Sequence, residues 1–84
     1  MNTKQLPYIL AIASEGSLSA AAGRLKISQP ALSKYLAELE QETGMELFFR
    51  HKKRLFPTPA GKAYIEAARQ ILSIQARTRA RFTC

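Results

Sequence analysis

Apolar residues recur along the chain with a helical period in four blocks, separated by short polar breaks and one β-prone stretch. Between Thr3 and Ser14 they fall at Leu6, Ile9, Leu10, Ile12 and Ala13, leaving Lys4, Gln5 and Glu15 on the wet side. This spacing predicts a first helix capped by Thr3 and stopped at Glu15-Gly16. Pro7 falls in its first turn, where a missing N–H costs little. Ser17 can cap a second helix with Leu18, Ala21, Ala22 and Leu25 along one side. Alanine at 20, 21 and 22 favours helix formation and also permits close helix approach. After a break at Lys26-Ile27, Ser28 caps a third helix whose buried stripe is Leu32, Leu36 and Leu39 and which ends near Thr43-Gly44. Gln29, Pro30, Ser33, Lys34 and Ala37 lie away from that stripe. Two short helices, a tight turn and small polar residues opening the second of them are the pattern of a helix-turn-helix.

Leu47-Phe48-Phe49-Arg50 and Arg54-Leu55-Phe56 are β-prone runs flanking the polar turn His51-Lys52-Lys53, which predicts a basic two-stranded wing. Phe48 and Phe56 are expected to anchor it to the core. Thr58-Pro59, a cap followed by proline at the first helical position, opens the longest helical segment, from about Pro59 to Ala80. Along it Ala60, Tyr64, Ala67, Ile71, Ile74 and Thr78 recur at alternating steps of four and three, a coiled-coil-like seam. Ile65, Ala68 and Leu72 form a second stripe beside it. One stripe then packs on the helix's own domain while the other is offered to a second copy, because a single buried stripe is hard to sustain over about 30 Å of helix. The fold expected is mainly α: a winged helix-turn-helix with a three-helix core and a two-stranded wing over residues 1–58, followed by a long linker and dimerisation helix over residues 59–84.

Eighty-four residues support one small core, and the 46% apolar and 8% aromatic content suits a helical interior of Leu, Ile and Ala. Cys84 is the single cysteine and has no partner in the sequence, so neither an internal disulfide nor a cysteine metal site is supported. No apolar run approaches a membrane span and no signal peptide opens the chain, which makes the cytoplasm the expected compartment. Net charge is +7, and its distribution carries more than its size. Up to Arg50, five basic residues match five acidic ones; from His51 onward, eight basic residues face only Glu66. The surplus therefore sits in the wing and the last helix, where a polyanion is the natural partner. Catalysis is not supported: the only histidine stands in a basic turn, and no carboxylate has neighbours suited to acid–base work.

Gly16-Ser17-Leu18, Ala21-Ala22, Leu25, Ser28-Gln29-Pro30-Ala31-Leu32-Ser33, Leu39-Glu40, Gly44, Leu47-Phe48, Arg50 and Thr58-Pro59-Ala60-Gly61 together resemble the N-terminal DNA-binding domain of LysR-type transcriptional regulators. The resemblance runs through nearly the whole chain in order and without insertions. Departures from the usual pattern are Leu18 and Ile9 where aromatic residues are common, Thr43 for leucine, and Pro57 for an aliphatic residue. What the resemblance implies is double-stranded DNA as partner, a homodimer through antiparallel linker helices (Tyr64, Ala67, Ile71, Ile74 and Thr78), an interrupted palindrome as target, and a bacterial, nucleoid-associated location. It implies no cofactor and no metal. By position, Gln29, Pro30, Ser33 and Lys34 would face bases and nearby phosphates, while His51, Lys52, Lys53 and Arg54 would approach the minor groove or its phosphates. Tyr35 has two courses open, toward a thymine methyl or phosphate and inward. Arg50 likewise stands between DNA and an ion pair with Glu40 or Glu46.

Family members carry a ligand-sensing domain after the linker helix, so a chain stopping at Cys84 is expected to be an isolated domain or a truncated product, and an effector only for a full-length form. Two other readings compete with this one: a winged helix used for protein contact, and the similar winged domain of molybdate-responsive regulators, against which Gln29-Pro30-Ala31 weighs.

Overall fold

The computed structural model describes residues 5–83 and contains four helices and one hairpin: α1 (Leu6–Glu15), α2 (Leu18–Leu25), α3 (Gln29–Thr43), β1 (Phe48–His51), β2 (Arg54–Pro57) and α4 (Pro59–Thr83). Thr3 lies outside the described residues. Gln5 holds the N-cap position of α1 without a side-chain cap bond, and Pro7 sits in the first turn as its geometry allows. Gly16 ends α1 in the left-handed region (φ 67°), its N–H donating to the Ile12 carbonyl at 2.9 Å. Ser17 and Ser28 each accept an N–H three residues on, from Ala20 and Ala31, both at 3.2 Å. Between α2 and α3 no glycine is used: Lys26 itself takes the left-handed C-cap conformation (φ 60°). Near-left-handed geometry costs a lysine about 1–2 kcal/mol, a strain absorbed by the packing on either side.

The core is built around α1, whose Leu6, Ile9 and Ile12 are fully buried. Ala21 and Ala22 of α2 approach it closely, Leu32, Leu36 and Leu39 bring α3 in, and Leu47, Phe48, Ile65 and Ala68 close the remaining sides. No described side chain in this interior is polar or charged. The first half of α4 is thus part of the same core as the helix-turn-helix. Among the described residues no helix is long and apolar enough to cross a membrane.

Two clamps fix where the wing leaves the helical body. Glu40, on the last turns of α3, accepts both the Leu47 N–H (2.6 Å) and the Phe48 N–H (3.3 Å) on a single carboxylate oxygen. Thr58 caps α4 by accepting the Gly61 N–H (3.0 Å), donates its hydroxyl proton to the Glu46 carbonyl, and donates its own N–H to the Leu47 carbonyl at 3.0 Å. On the other side of the hairpin, the Leu55 N–H donates to the Gly16 carbonyl at 3.0 Å, tying β2 to the α1–α2 turn.

The hairpin differs from expectation in two respects. Its turn has two residues, Lys52 and Lys53, both at positive φ (50° and 65°), and His51 belongs to β1, paired with Arg54. Both central residues at positive φ is the backbone of a type I′ turn, whose twist matches that of paired strands. Register then decides which aromatics face inward. Phe48 is buried at 7% exposure, whereas Phe56 is 39% exposed and stands opposite Phe49 (47%) on the outer face, with ring centroids 5.8 Å apart. The expected core role of Phe56 passes to its neighbour Leu55, because successive strand residues point to opposite faces. A cross-strand aromatic pair contributes about 0.2–1 kcal/mol and helps offset the strained turn.

Along α4 the expected seam divides. Tyr64 and Ile71 border the buried Ile65 and Ala68 and pack against the core, while Ala67, Ile74 (53% exposed) and Thr78 stand in solvent. The reason is angular: at about 100° per residue, Tyr64 and Ile71 lie nearer the direction of Ala68 and Leu72 than Ala67 and Ile74 do.

Candidate nucleic-acid interface

The outer face of α3 carries Gln29, Pro30, Ser33, Lys34 and Ala37, all exposed, because the leucine stripe at 32, 36 and 39 takes the opposite side of the cylinder. The serine cap at the start of α3 leaves this face with a short, ordered first turn, and the side chains following it project from a rigid element rather than a loop. Lys34 lies 3.9 Å from Glu38 one turn on, both well exposed. Such a pair is worth at most a few tenths of a kcal/mol and leaves the ammonium free to meet another anion.

Tyr35 takes the inward course. It is half-buried, its hydroxyl donates to the Gln5 carbonyl at 3.3 Å, and its ring meets Tyr8 in a T-shaped contact at 5.2 Å. The cause is angular: Tyr35 lies beside the leucine stripe, on the flank turned toward the start of α1. Burial, followed by the charges of Tyr64, Glu42 and Tyr8, pushes its hydroxyl up to about 12. Burial also raises Tyr64, with Glu42 as the second cause. Tyr35 is thus removed from the group of exposed candidates and becomes a contact between helices.

In the wing, Arg50, His51, Lys52, Lys53 and Arg54 are all exposed. Arg50 makes no ion pair among the described residues, since Glu40 is committed to the Leu47 and Phe48 amides. The ion-pair course for Arg50 is therefore not taken. Arg54 behaves otherwise: its guanidinium lies over Gly16 and reaches the Glu15 carbonyl at 3.5 Å, so part of its donor capacity is spent on the α1–α2 turn. Glu15 itself pairs with Arg24 at 3.4 Å. The lysines at the tip, like Arg50, make no ion pair among the described residues, and they are held in a backbone conformation that glycine or asparagine adopts more readily. Lys53→Gly is accordingly expected to raise stability by about 0.5–1 kcal/mol, a shift of about 2–8 °C in thermal midpoint measured by circular dichroism, while removing one tip charge.

Residue-by-residue reading of the sequence missed the clamp made by Glu40 and the close approach at Gly61. Both stand inside sequence motifs, Leu39-Glu40 and Thr58-Pro59-Ala60-Gly61, yet nothing in their spacing names the wing backbone as the partner. Among the described residues, no three of His, Cys, Asp and Glu come together as metal ligands would. What the surface offers is a helix face of hydrogen-bonding side chains and a projecting basic hairpin, the donor set that suits an extended, phosphate-bearing partner.

A family model described as "Bacterial regulatory helix-turn-helix protein, lysR family" matches residues 3–62. Among curated relatives, the HTH-type transcriptional regulator ClcR of Pseudomonas putida is 41% identical over 81 residues, covering 96% of this chain and 28% of the relative. The nitrogen assimilation regulatory protein nac of Escherichia coli (strain K12) is 46% identical over 72 residues, 86% of this chain and 24% of that protein. The chain therefore spans about a quarter of the length of such relatives. Among solved structures, a complex of the CbnR DNA-binding domain with DNA superposes with a TM-score of 0.88 at 38% identity, covering 96% of this chain and 93% of that one. Full-length LysG from Corynebacterium glutamicum with bound effector Arg gives 0.88 at 36% identity, over 99% of this chain and 28% of that one.

Proposed function

From the chain's membership of the LysR family of bacterial regulatory helix-turn-helix proteins, we propose that it is the sequence-specific, double-stranded-DNA-binding part of a dimeric transcriptional regulator. The observation that carries this reading is the exposed face of α3, where Gln29, Pro30, Ser33 and Lys34 stand clear of the core on a rigid helix. Placed in a major groove, Gln29 pairs with an adenine edge, Pro30 meets a thymine methyl, Ser33 donates or accepts, and Lys34 adds charge toward bases or phosphate. Each well-made base contact is worth about 1–3 kcal/mol of discrimination. Arg50, His51, Lys52 and Lys53 supply attraction to phosphates with little sequence preference, and Arg54 shares that task with its hold on the α1–α2 turn.

Two copies pair through α4. Its 25 residues make a rod of about 37 Å, and Ala67, Ile74 and Thr78 leave an exposed strip for the partner helix, with Tyr64 and Ile71 at its margin. Two recognition helices held by such a rod read half-sites about 34 Å apart, one turn of duplex, so an interrupted palindrome is the target. Residues 1–58 then serve as the DNA-binding unit and 59–84 as linker and dimerisation helix, the start of which also completes the core. Effector sensing belongs to a further domain in a full-length form. The place of action is the bacterial cytoplasm, on the nucleoid, and the activity is binding without catalysis.

Selection from random duplexes tests this directly: enrichment of an interrupted palindrome at moderate salt is the expected result, and a pool that stays random overturns the reading. Ser33→Ala is expected to weaken discrimination at one base position by about 1–3 kcal/mol while leaving affinity for random DNA unchanged. Lys53→Ala is expected to weaken all sequences alike and to lower the slope of log K against log salt by about one.

A further inference from the structure

We propose that Tyr35 is a positioning residue for sequence selection, its hydroxyl bond to the Gln5 carbonyl and its ring contact with Tyr8 setting the rotation of α3 about its own axis. The proposal rests on the reading of α3 as the helix that meets DNA. Leu32, Leu36 and Leu39 hold α3 against the core by apolar contact, which is non-directional and tolerates small rotations. Tyr35 supplies the directional element. Residues two apart on a helix lie about 200° apart around the axis, so Tyr35 is anchored on nearly the opposite side from Ser33. A turn of the cylinder at one is a turn at the other. At about 6 Å from the axis, a rotation of 10° displaces an atom by about 1 Å, enough to carry a hydrogen bond to a base edge out of its useful range.

The tie is placed to be stable. Tyr35 is half-buried, Gln5 opens α1, and α1 is the helix on which α4 also packs, so the orientation of α3 is referred to the element at the centre of the core. With its hydroxyl pushed up to about 12, Tyr35 keeps its proton and remains a donor throughout the neutral range. The neighbouring Tyr64 on α4 and Glu42 on α3 are the groups whose charges bear on it besides Tyr8.

The test compares the intact chain with Tyr35→Phe, which keeps the ring and removes the hydroxyl, by fluorescence anisotropy against a duplex selected by the wild type and a scrambled duplex at the same salt. Kd for the selected duplex is expected to rise about five- to tenfold, with the scrambled duplex changed less than twofold. Loss of folded fraction alone would weaken both duplexes equally, and that outcome, or an unchanged ratio, overturns the proposal. Tyr8→Leu removes the ring contact from α1 without touching α3 and is expected to lower the same ratio; retention of the wild-type ratio there also counts against the tie. A wild type that selects no sequence overturns both this proposal and the functional reading, whereas a selective wild type with an equally selective Tyr35→Phe overturns the proposal alone.

Discussion

Gly61→Ala is expected to lower the thermal midpoint of the chain by about 12–24 °C, enough to leave much of it unfolded at 37 °C. A Cβ built at this position runs into the Leu47 carbonyl oxygen, and the Leu47 carbonyl carbon and Cα also lie within contact distance. All three are main-chain atoms, so no side-chain rotation relieves the overlap. Nor can the Leu47 peptide move aside at little cost, because its carbonyl accepts from Thr58 and its N–H donates to Glu40. The helix must retreat from the wing instead, opening the packing of Ile65 and Ala68. Overpacking costs about 1–3 kcal/mol where side chains can give and more where backbone is the obstacle. A cost of about 3 kcal/mol is a large share of the stability of a small domain, and about 4–8 °C of midpoint goes with each kcal/mol. The sign is itself informative, since glycine to alanine inside an exposed helix ordinarily stabilises by about 0.5–1 kcal/mol. Gly23 of α2, whose Cβ would meet open space, is the internal control and is expected to show that ordinary gain. Melting curves of the two variants moving in the same direction would refute the assignment at Gly61.

The second large effect is expected at Glu40. Replacing it by alanine strips the acceptor from two part-buried amides at once, one of them on the fully buried Leu47. A buried group left unsatisfied costs about 1–3 kcal/mol. The expected total is about 2–3 kcal/mol, with the midpoint falling by about 8–24 °C. Hydrogen exchange at the Leu47 and Phe48 amides separates this local cause from general loosening, and both are expected to exchange faster in the variant than amides of α1 under conditions where the fold persists. Glu40→Gln keeps an oxygen but loses the charge, and an intermediate midpoint is expected. Unchanged protection at both amides would show that the clamp does not hold the wing.

Much of the fold is legible in the sequence because its punctuation is chemically explicit. Ser17, Ser28 and Thr58 cap the helices that follow them, and Gly16 and Gly44 end the helices before them in the left-handed conformation that an L side chain resists. Leucines at 32, 36 and 39 go inward because helical geometry puts them on one face. The hairpin is less legible for a physical reason. Its register hangs on a two-residue turn of two lysines at positive φ, a conformation whose sequence signal is Gly or Asn, so the sequence points to three turn residues while the actual two turn Phe56 outward. The positions of Tyr35 and Arg50 border two environments in the sequence, and only the packed structure says which neighbour arrives first. Glu40 reached main-chain amides seven and eight residues on, a partner that charge patterning cannot nominate. The exposed face of α3 follows from the leucine stripe, which is why Gln29, Pro30, Ser33 and Lys34 could be named from periodicity alone.

The bonds that dock the hairpin have a consequence for how such a protein changes over generations. Leu55 N–H to Gly16 carbonyl, Thr58 N–H to Leu47 carbonyl, and the amides of Leu47 and Phe48 held by Glu40 all take hold of the hairpin through its own backbone or its roots. The side chains of Arg50, Lys52 and Lys53 thereby carry no hydrogen bond or ion pair that holds the fold among the described residues. Mutational drift can add, delete or relocate charge along that loop by steps that each remain viable, while the scaffold stays put.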